Sequence, residues 1–189
     1  MHTQPLGTRK LYRVFPWNSN AADHQSGGAL FVVDSNKNRI SNVELYRTFY
    51  LAAQPEAALA EVLGHLLIWR PKTFVHSVGP LSLATYELPE SLPIFELDDL
   101  NAIRSLGIEQ PSRIVTRDRT ITRGWARTIY ERGTYAGARW WSYHNPDWQA
   151  YGLWNIDALS LNVPPTPLST GSPIVISTAK AIAKQILRA

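Results

Sequence analysis

The apolar residues of this chain recur at two different spacings, one typical of strands and one typical of helices. Residues 10–15 alternate polar side chains with apolar and aromatic ones and end at Pro16, which predicts a strand. After Pro55, apolar residues recur at four-residue steps from Ala58 to Leu66, which predicts an amphipathic helix. Both elements place chemically useful side chains beside an apolar face.

Short apolar runs bounded by turn residues predict further strands at 29–33, 48–52, 73–78, 83–88, 93–97 and 139–143. Capping and glycine signals predict helices at 98–106 and 120–132, and a last helix begins at Ser177. Together these elements predict a single α+β domain, with a mixed, mostly antiparallel sheet and surrounding helices.

The composition changes after Leu161, where a Pro/Ser-rich segment begins. We therefore divide the chain into a main domain over 1–163 and a semi-rigid linker with a C-terminal helix over 164–189. We expect this helix to pack on its own domain. A contact with a second copy of the chain or with a partner protein is the alternative.

Composition excludes several classes of protein. The 189 residues, 44% hydrophobic and 18% charged, suit one globular domain. No apolar run approaches the ~20 residues of a membrane helix, and the N-terminus lacks the apolar core of a secretory signal. The absence of cysteine excludes disulfides, thiolate catalysis and cysteine-ligated zinc. We expect a cytoplasmic protein with no membrane contact.

The formal net charge of +4 suits a phosphate-bearing partner, either a polymer or a small dinucleotide, although a charge spread over the surface is the alternative. The densest basic cluster, residues 113–123, contains an acid and alternates with apolar residues. We interpret it as the approach to a helix rather than as a phosphate-binding track.

Three residues at eleven-residue spacings carry side chains that suit a dinucleotide. Arg39 lies in a polar loop, Tyr50 in a predicted strand and Glu61 in the predicted helix. A guanidinium can bind a pyrophosphate through two hydrogen bonds, a phenol ring can stack on a heterocycle, and a carboxylate can hold sugar hydroxyls. A loop, a strand and a helix can bring all three to one cleft, although such residues more often have structural roles.

Two histidines invite other chemistry, and we disfavour both readings. Ser142 and His144 resemble a nucleophile and its base, but no G-x-S-x-G turn is present, and neighbours on one side of a strand do not reach that geometry easily. His65 is one helical turn from Glu61, but no third ligand follows at a metal-binding spacing. We expect no metal.

Four segments resemble the RES domain family when they are taken in order. They are L-Y-R-V-F-P (11–16), F-Y-L-A-A-Q-P-E-A-A-L-A-E-V (49–62), G-A-R-W-W-S-Y (137–143) and G-L-W (152–154), and the resemblance covers about residues 10–162. The family is named for an arginine, a glutamate and a serine. Its characterised members are toxins of bacterial toxin–antitoxin pairs that consume NAD or transfer ADP-ribose.

The resemblance implies an ADP-ribosyltransferase-like fold and a role for each residue. Arg39, with Arg13 as a second contact, would anchor the pyrophosphate of NAD, and Tyr50 would stack on or beside the nicotinamide. Glu61 would hold a ribose hydroxyl and stabilise the charge that develops on the sugar, and Ser142 would donate a hydrogen bond to the ligand. NAD would be the substrate, with no prosthetic group.

The chain departs from the family at its arginine. Many members place a glycine before it, whereas this chain reads Asn38-Arg39-Ile40, and Arg47 is the rival if the loop is aligned differently. The acceptor of ADP-ribose stays open between water, phosphate and a protein side chain.

The expected partner is an antitoxin, an Xre-like helix-turn-helix protein that would carry any contact with nucleic acid, and a homodimer is an alternative. The competing function is a non-enzymatic domain that binds nucleotide or nucleic acid, which the basic charge and the aromatic-rich stretch 139–154 favour.

Overall fold

The structure is a computed structural model that describes residues 7–35 and 38–187. The strands of the described ranges are β1 (Thr8–Pro16), β2 (Phe49–Ala52), β3 (Ile68–Trp69), β4 (Leu81–Pro89), β5 (Ile94–Glu96), β6 (Gly137–Trp141), β7 (Gln149–Leu153), β8 (Ser160–Leu161), β9 (Thr166–Pro167) and β10 (Gln185–Ile186). Their α-helices are α1 (Pro55–Leu63), α2 (Leu100–Arg104), α3 (Arg119–Glu131) and α4 (Pro173–Ala181).

One large sheet organises the molecule. Its strands follow the order β5-β6-β7-β2-β1-β4-β8, and β9 also pairs with β4. Within it β5 and β6 are parallel, and the other pairs are antiparallel. A small parallel pair, β3 with β10, lies apart. The predicted single α+β domain with a mixed, mostly antiparallel sheet is confirmed.

The two faces of the sheet are covered differently. Because side chains alternate along β1, Leu11 and Phe15 point to one face, and Tyr12 and Val14 point to the other. The face of Leu11 is covered by loops that carry Trp17, Leu30 and Ile156, among others. The face of Val14 is covered by helices, and it is the face that carries the site.

Helix α1 packs closely on the helical face because its inner residues are small. Ala57, Ala58 and Ala60 are all buried. Pro55 begins the helix at a position where its missing N–H costs nothing, and Gly64 ends it. The small side chains let the helix lie close to β1 and β2 and against α4.

Helix α3 covers another part of the same face. Its residues Trp125 and Ile129 pack in one cluster with Trp140 of β6 and Ala150 of β7. Ala150 lies opposite Ala52, which packs beneath α1. The two helices therefore stand side by side on one face, and the strands between them form the floor of a cleft.

Two predicted strands are wrong, and hydrogen bonds to side chains explain both. Residues 29–33 form turns and irregular backbone, because the side chains of Arg13 and Tyr86 take up carbonyl groups of this segment. Residues 73–78 begin in a short 3-10 helix, Pro71–Phe74, which the Thr73 hydroxyl stabilises by accepting from the Arg70 amide at 3.0 Å.

The C-terminal helix differs in its bounds from the prediction. It begins at Pro173 rather than Ser177 and ends at Ala181. After Ala183, which has a left-handed φ of 54°, the chain runs into β10. The helix packs on α1 through Val175, and β9 joins the main sheet. The division of the chain at residue 163 stays a prediction, and residues 188 and 189 lie outside the described ranges.

No helix within the described ranges combines the length and the apolar character that crossing a membrane requires.

Gly152 of β7 gives a test of how the floor is packed. A Cβ at this position would lie 2.3 Å from Cδ1 of Ile40, which is completely buried. We expect Gly152→Ala to lower the free energy of unfolding by about 1–3 kcal/mol through overpacking. Chemical denaturation measures this change.

The matched control is Gly124→Ala, because Gly124 lies in α3 and a Cβ there would meet nothing within 4 Å. We expect this variant to gain up to about 1 kcal/mol, since alanine favours a helix over glycine. Equal stability of the two variants would contradict the close approach of Ile40.

Candidate active site

A cleft of about 370 Å³ lies on the helical face of the sheet. Glu61 and Val62 of α1 line one side, and Arg39 and Arg119, the first residue of α3, line it as well. Tyr50, Trp140 and Ala150 belong to the strands of its floor. The cleft therefore joins the three residues that the sequence places at eleven-residue spacings.

Hydrogen bonds hold both the guanidinium and the backbone carbonyl of Arg39. Its Nη1 donates to the carbonyl oxygens of Ile114 at 3.1 Å and Thr116 at 2.8 Å. Its own carbonyl accepts a hydrogen bond from the Thr122 hydroxyl at 2.5 Å. Burial first, and then the positive charge of Arg119, lower the pKa of Arg39, whereas the negative charge of Glu61 raises it.

Tyr50 connects the floor of the cleft to the loop that carries Arg39. Its hydroxyl accepts from the Ile40 amide at 3.1 Å and shares a hydrogen bond of 3.0 Å with Ser41 Oγ. Its ring meets Trp140 edge to face, with 6.5 Å between centroids. Burial raises the pKa of Tyr50, so the phenol stays neutral.

Glu61 is held by a serine that does not itself line the cleft. Ser142 Oγ donates to Glu61 Oε1 at 2.7 Å and accepts from the His144 amide at 3.2 Å. Ser142 is only 2% exposed, whereas Glu61 is exposed at the cleft. The structure thus brings Ser142 to Glu61, but both of its hydrogen bonds are internal and neither is directed to a ligand.

The same contacts argue against the hypothesis that Ser142 is a nucleophile with His144 as its base. The proton of Ser142 is directed to Glu61, and His144 contacts the serine through its backbone amide rather than its ring. The His144 ring lies against Gly64, at 2.4 Å from the place of a Cβ there. This geometry does not make His144 the base of a serine nucleophile.

Arg13 lies on the other face of the sheet. Its guanidinium donates to the carbonyls of Ala29 at 3.4 Å and Phe31 at 2.8 Å, and it lies 4.3 Å from the centre of the Phe49 ring. Burial lowers the pKa of Arg13, with an opposing contribution from Tyr86. Arg13 is among the residues that line the cleft, but its guanidinium is engaged on the other face of the sheet.

Arg47 lies on the surface. It forms an exposed ion pair with Asp34, with 2.5 Å between Nε and Oδ1. Exposed pairs of this kind contribute little to stability. Of the two rival arginines, the cleft contains Arg39.

Sequence reasoning missed Arg119. It lies within the basic cluster 113–123, where the alternation of charged and apolar residues does not show which arginine turns inward. The N-cap at Asp118, whose carboxylate accepts from the Thr120 amide at 2.9 Å, is the signal that places Arg119 at the first helical position. Nη1 of Arg119 is shielded from solvent and has no hydrogen-bond partner among the described residues.

No group of three His, Asp or Glu side chains in ranges 7–35 and 38–187 is placed to hold a metal ion. His65 lies beyond the end of α1 and is exposed.

The fold and the cleft define an α+β domain with an arginine, a tyrosine and a glutamate at one site. A sequence model of the RES domain matches residues 10–171, and the chain belongs to this family. No curated protein sequence matches the chain.

A solved structure has the same fold. The chain is similar to one in the crystal structure of the M. tuberculosis MbcT-MbcA toxin-antitoxin complex, with a TM-score of 0.58. The match covers 94% of this chain and 91% of that chain, at 12% sequence identity.

The pKa of His144 gives a test of the packing beside Glu61. Burial lowers this pKa below its ordinary value of 6.5; the charge of Lys184 also lowers it, and that of Glu61 raises it. As the pH falls below about 6.5, the unfolded chain therefore binds a proton before the folded protein does, and stability is lost.

We expect the free energy of unfolding to fall between about pH 7 and pH 5, and to fall less steeply in His144→Gln. Urea denaturation across this range measures both slopes. Identical slopes would show that His144 is not buried beside Glu61 as described.

Proposed function

We propose that this protein is a toxin of the RES family that cleaves the bond between nicotinamide and ribose in NAD. The observation that carries the proposal is the Glu61 carboxylate, which faces the cleft and is oriented from behind by Ser142 at 2.7 Å. Family membership supports the class of reaction.

Arg39 suits the pyrophosphate. Nη1 is engaged by two backbone carbonyls, whereas Nε and Nη2 have no hydrogen-bond acceptor among the described residues. A guanidinium that is already immobilised loses little conformational entropy when it binds an anion.

The floor of the cleft suits a flat heterocycle. Tyr50 and Trp140 present aromatic surface beside the small side chains of Ala52 and Ala150. We assign the nicotinamide end of NAD to this floor, since stacking and apolar contact favour a planar ring there.

Glu61 acts on the reacting sugar. As the bond from ribose to nicotinamide breaks, its electron pair leaves with the nicotinamide, which departs neutral, and positive charge develops at the sugar carbon. A fixed carboxylate nearby stabilises this charge more in the transition state than in the substrate. Ser142 is a positioning residue, because its hydrogen bond restricts the carboxylate to one orientation.

The acceptor then attacks the sugar carbon. Water gives free ADP-ribose, inorganic phosphate gives a phosphorylated ADP-ribose, and a protein side chain gives a covalent adduct. Mass analysis of the products of one reaction with phosphate and one without it distinguishes the three.

We infer that an antitoxin restrains the enzyme in its host. An enzyme that drains NAD harms the cell that makes it, so a partner that blocks the cleft is required. The similar solved structure is by its title a toxin–antitoxin complex, which supports this inference. We expect an Xre-like helix-turn-helix protein, which would carry any contact with nucleic acid.

The first test replaces the charge of Glu61 and keeps its shape. We expect Glu61→Gln to lower NAD turnover by about a hundredfold or more, because one electrostatic contact to a transition state is lost. The matched control is Glu56→Gln on the same helix, where the carboxylate accepts from Ser177 at 3.2 Å and does not line the cleft. Nicotinamide release measures both.

The same pair can be compared in bacteria. Expression of the wild type and of Glu56→Gln should slow growth and lower the NAD pool, and Glu61→Gln should relieve both effects. A wild-type protein that is folded but leaves NAD untouched would favour the alternative of a non-enzymatic nucleotide-binding domain.

The second test separates the rival arginines. We expect Arg39→Ala to raise the Michaelis constant for NAD at least tenfold, because a charge-assisted contact to the substrate is lost. Arg47→Ala should change it little, since Arg47 pairs with Asp34 outside the cleft. Initial rates over a range of NAD concentrations measure both, and the reverse order would place the pyrophosphate elsewhere.

A further inference from the structure

We propose that Arg119 is a second ligand-binding cation of the cleft, and that Arg39 and Arg119 together bind the two phosphate groups of a diphosphate-bridged nucleotide. The inference rests on the proposed function for the identity of the nucleotide, but the anion site itself is argued from the geometry alone.

The first observation is an unused donor. Arg119 lines the cleft, and its Nη1 is shielded from solvent without a hydrogen-bond partner among the described residues. A buried donor on a charged group is costly when it has no acceptor. An anionic oxygen in the cleft would supply that acceptor.

The second observation is a pair of like charges. The charge of Arg119 is close enough to Arg39 to lower its pKa. Glu61 is the carboxylate that lines the cleft, and within the described ranges it forms no ion pair of 4 Å or less with either arginine. Two cations and one anion leave an excess of one positive charge, which favours an anionic ligand.

The third observation is that the two cations are held on connected backbone. Thr122, in the first turn of α3, donates to the carbonyl of Arg39, and Arg119 begins the same helix. The carbonyls of Ile114 and Thr116, which precede the helix, hold the Arg39 guanidinium. The backbone positions that carry the two side chains are therefore fixed relative to each other before a ligand binds, which lowers the entropic cost of binding.

These three observations define a class of ligand. One guanidinium can satisfy one phosphate group, so two guanidiniums in one cleft favour a ligand with two adjacent phosphates. The site should prefer nucleoside diphosphates, and dinucleotides that are joined through a pyrophosphate. It should bind nucleosides and nucleoside monophosphates more weakly.

Calorimetric titration with inorganic pyrophosphate, ADP-ribose and inorganic phosphate tests the proposal. We expect Arg119→Met to weaken the binding of pyrophosphate and ADP-ribose about tenfold or more, because the charge-assisted hydrogen bonds are lost. Arg119→Lys should give an intermediate loss, since a point charge replaces a planar fork. Arg127→Met, on the exposed side of α3 where Arg127 pairs with Glu131, should bind as the wild type does.

Steady-state kinetics distinguish a role of Arg119 in binding NAD from a role in stabilising the fold. We expect Arg119→Met to raise the Michaelis constant for NAD about tenfold and to change kcat less, as loss of a contact made in both ground and transition states does. Thermal melting shows whether each variant is folded, and if Arg119→Met does not fold, Arg119→Lys decides the question.

Unchanged pyrophosphate affinity in the folded Arg119 variants would overturn the proposal, and so would an equal loss in Arg127→Met. If the wild type binds pyrophosphate through Arg119 but does not consume NAD, the anion site stands and the proposed reaction fails. If NAD turnover proceeds with the same Michaelis constant in Arg119→Met, the reaction stands and the second cation fails.

Discussion

The site depends on the hydrogen bonds that attach the loop of Arg39 to α3 and to the segment that precedes this helix. Arg39 donates to the carbonyls of Ile114 and Thr116 and accepts from Thr122, so the loop after residue 37 cannot move independently of α3. The Tyr50 hydroxyl accepts a hydrogen bond from the amide of Ile40, the residue after Arg39, and so attaches the same loop to the floor of the cleft. A few hydrogen bonds thus fix the Arg39 loop and α3 relative to the floor of the cleft. They also determine where Arg39 and Arg119 lie.

Three arginines show how environment decides what a residue type does. Arg13 is buried against Phe49 and donates to loop carbonyls, so its charge stabilises the covering of the far face. Arg47 forms an exposed pair that contributes little. Arg39 is fixed through one nitrogen, and its Nε and Nη2 have no hydrogen-bond acceptor within ranges 7–35 and 38–187. The family resemblance predicted Arg13 as a second contact to the pyrophosphate, but its partners in the structure are loop carbonyls that no sequence pattern reveals.

The sequence predicted the elements that local patterns determine and missed the contacts that only the fold creates. The helix after Pro55 and the strand of residues 10–15 have strong periodicity, and both form with close to the predicted bounds. Residues 29–33 look like a strand, but side chains from distant strands bind their carbonyls. The alignment of Arg39, Tyr50 and Glu61 in one cleft was predicted from spacing and resemblance. The burial of Ser142 behind Glu61 and the inward turn of Arg119 needed the tertiary structure.

The glycine of the G-L-W segment has a physical explanation in the packing of the floor. A glycine is needed where the backbone adopts a left-handed φ or where another group approaches closely. At Gly152, Cδ1 of Ile40 lies 2.3 Å from the place of a Cβ, so the residue after Arg39 packs on the bare backbone of β7. Any side chain at this position would push Ile40 away, and the loop that presents Arg39 would move with it. The glycine therefore acts on the cleft through packing, from a strand that is distant in sequence from the loop it admits.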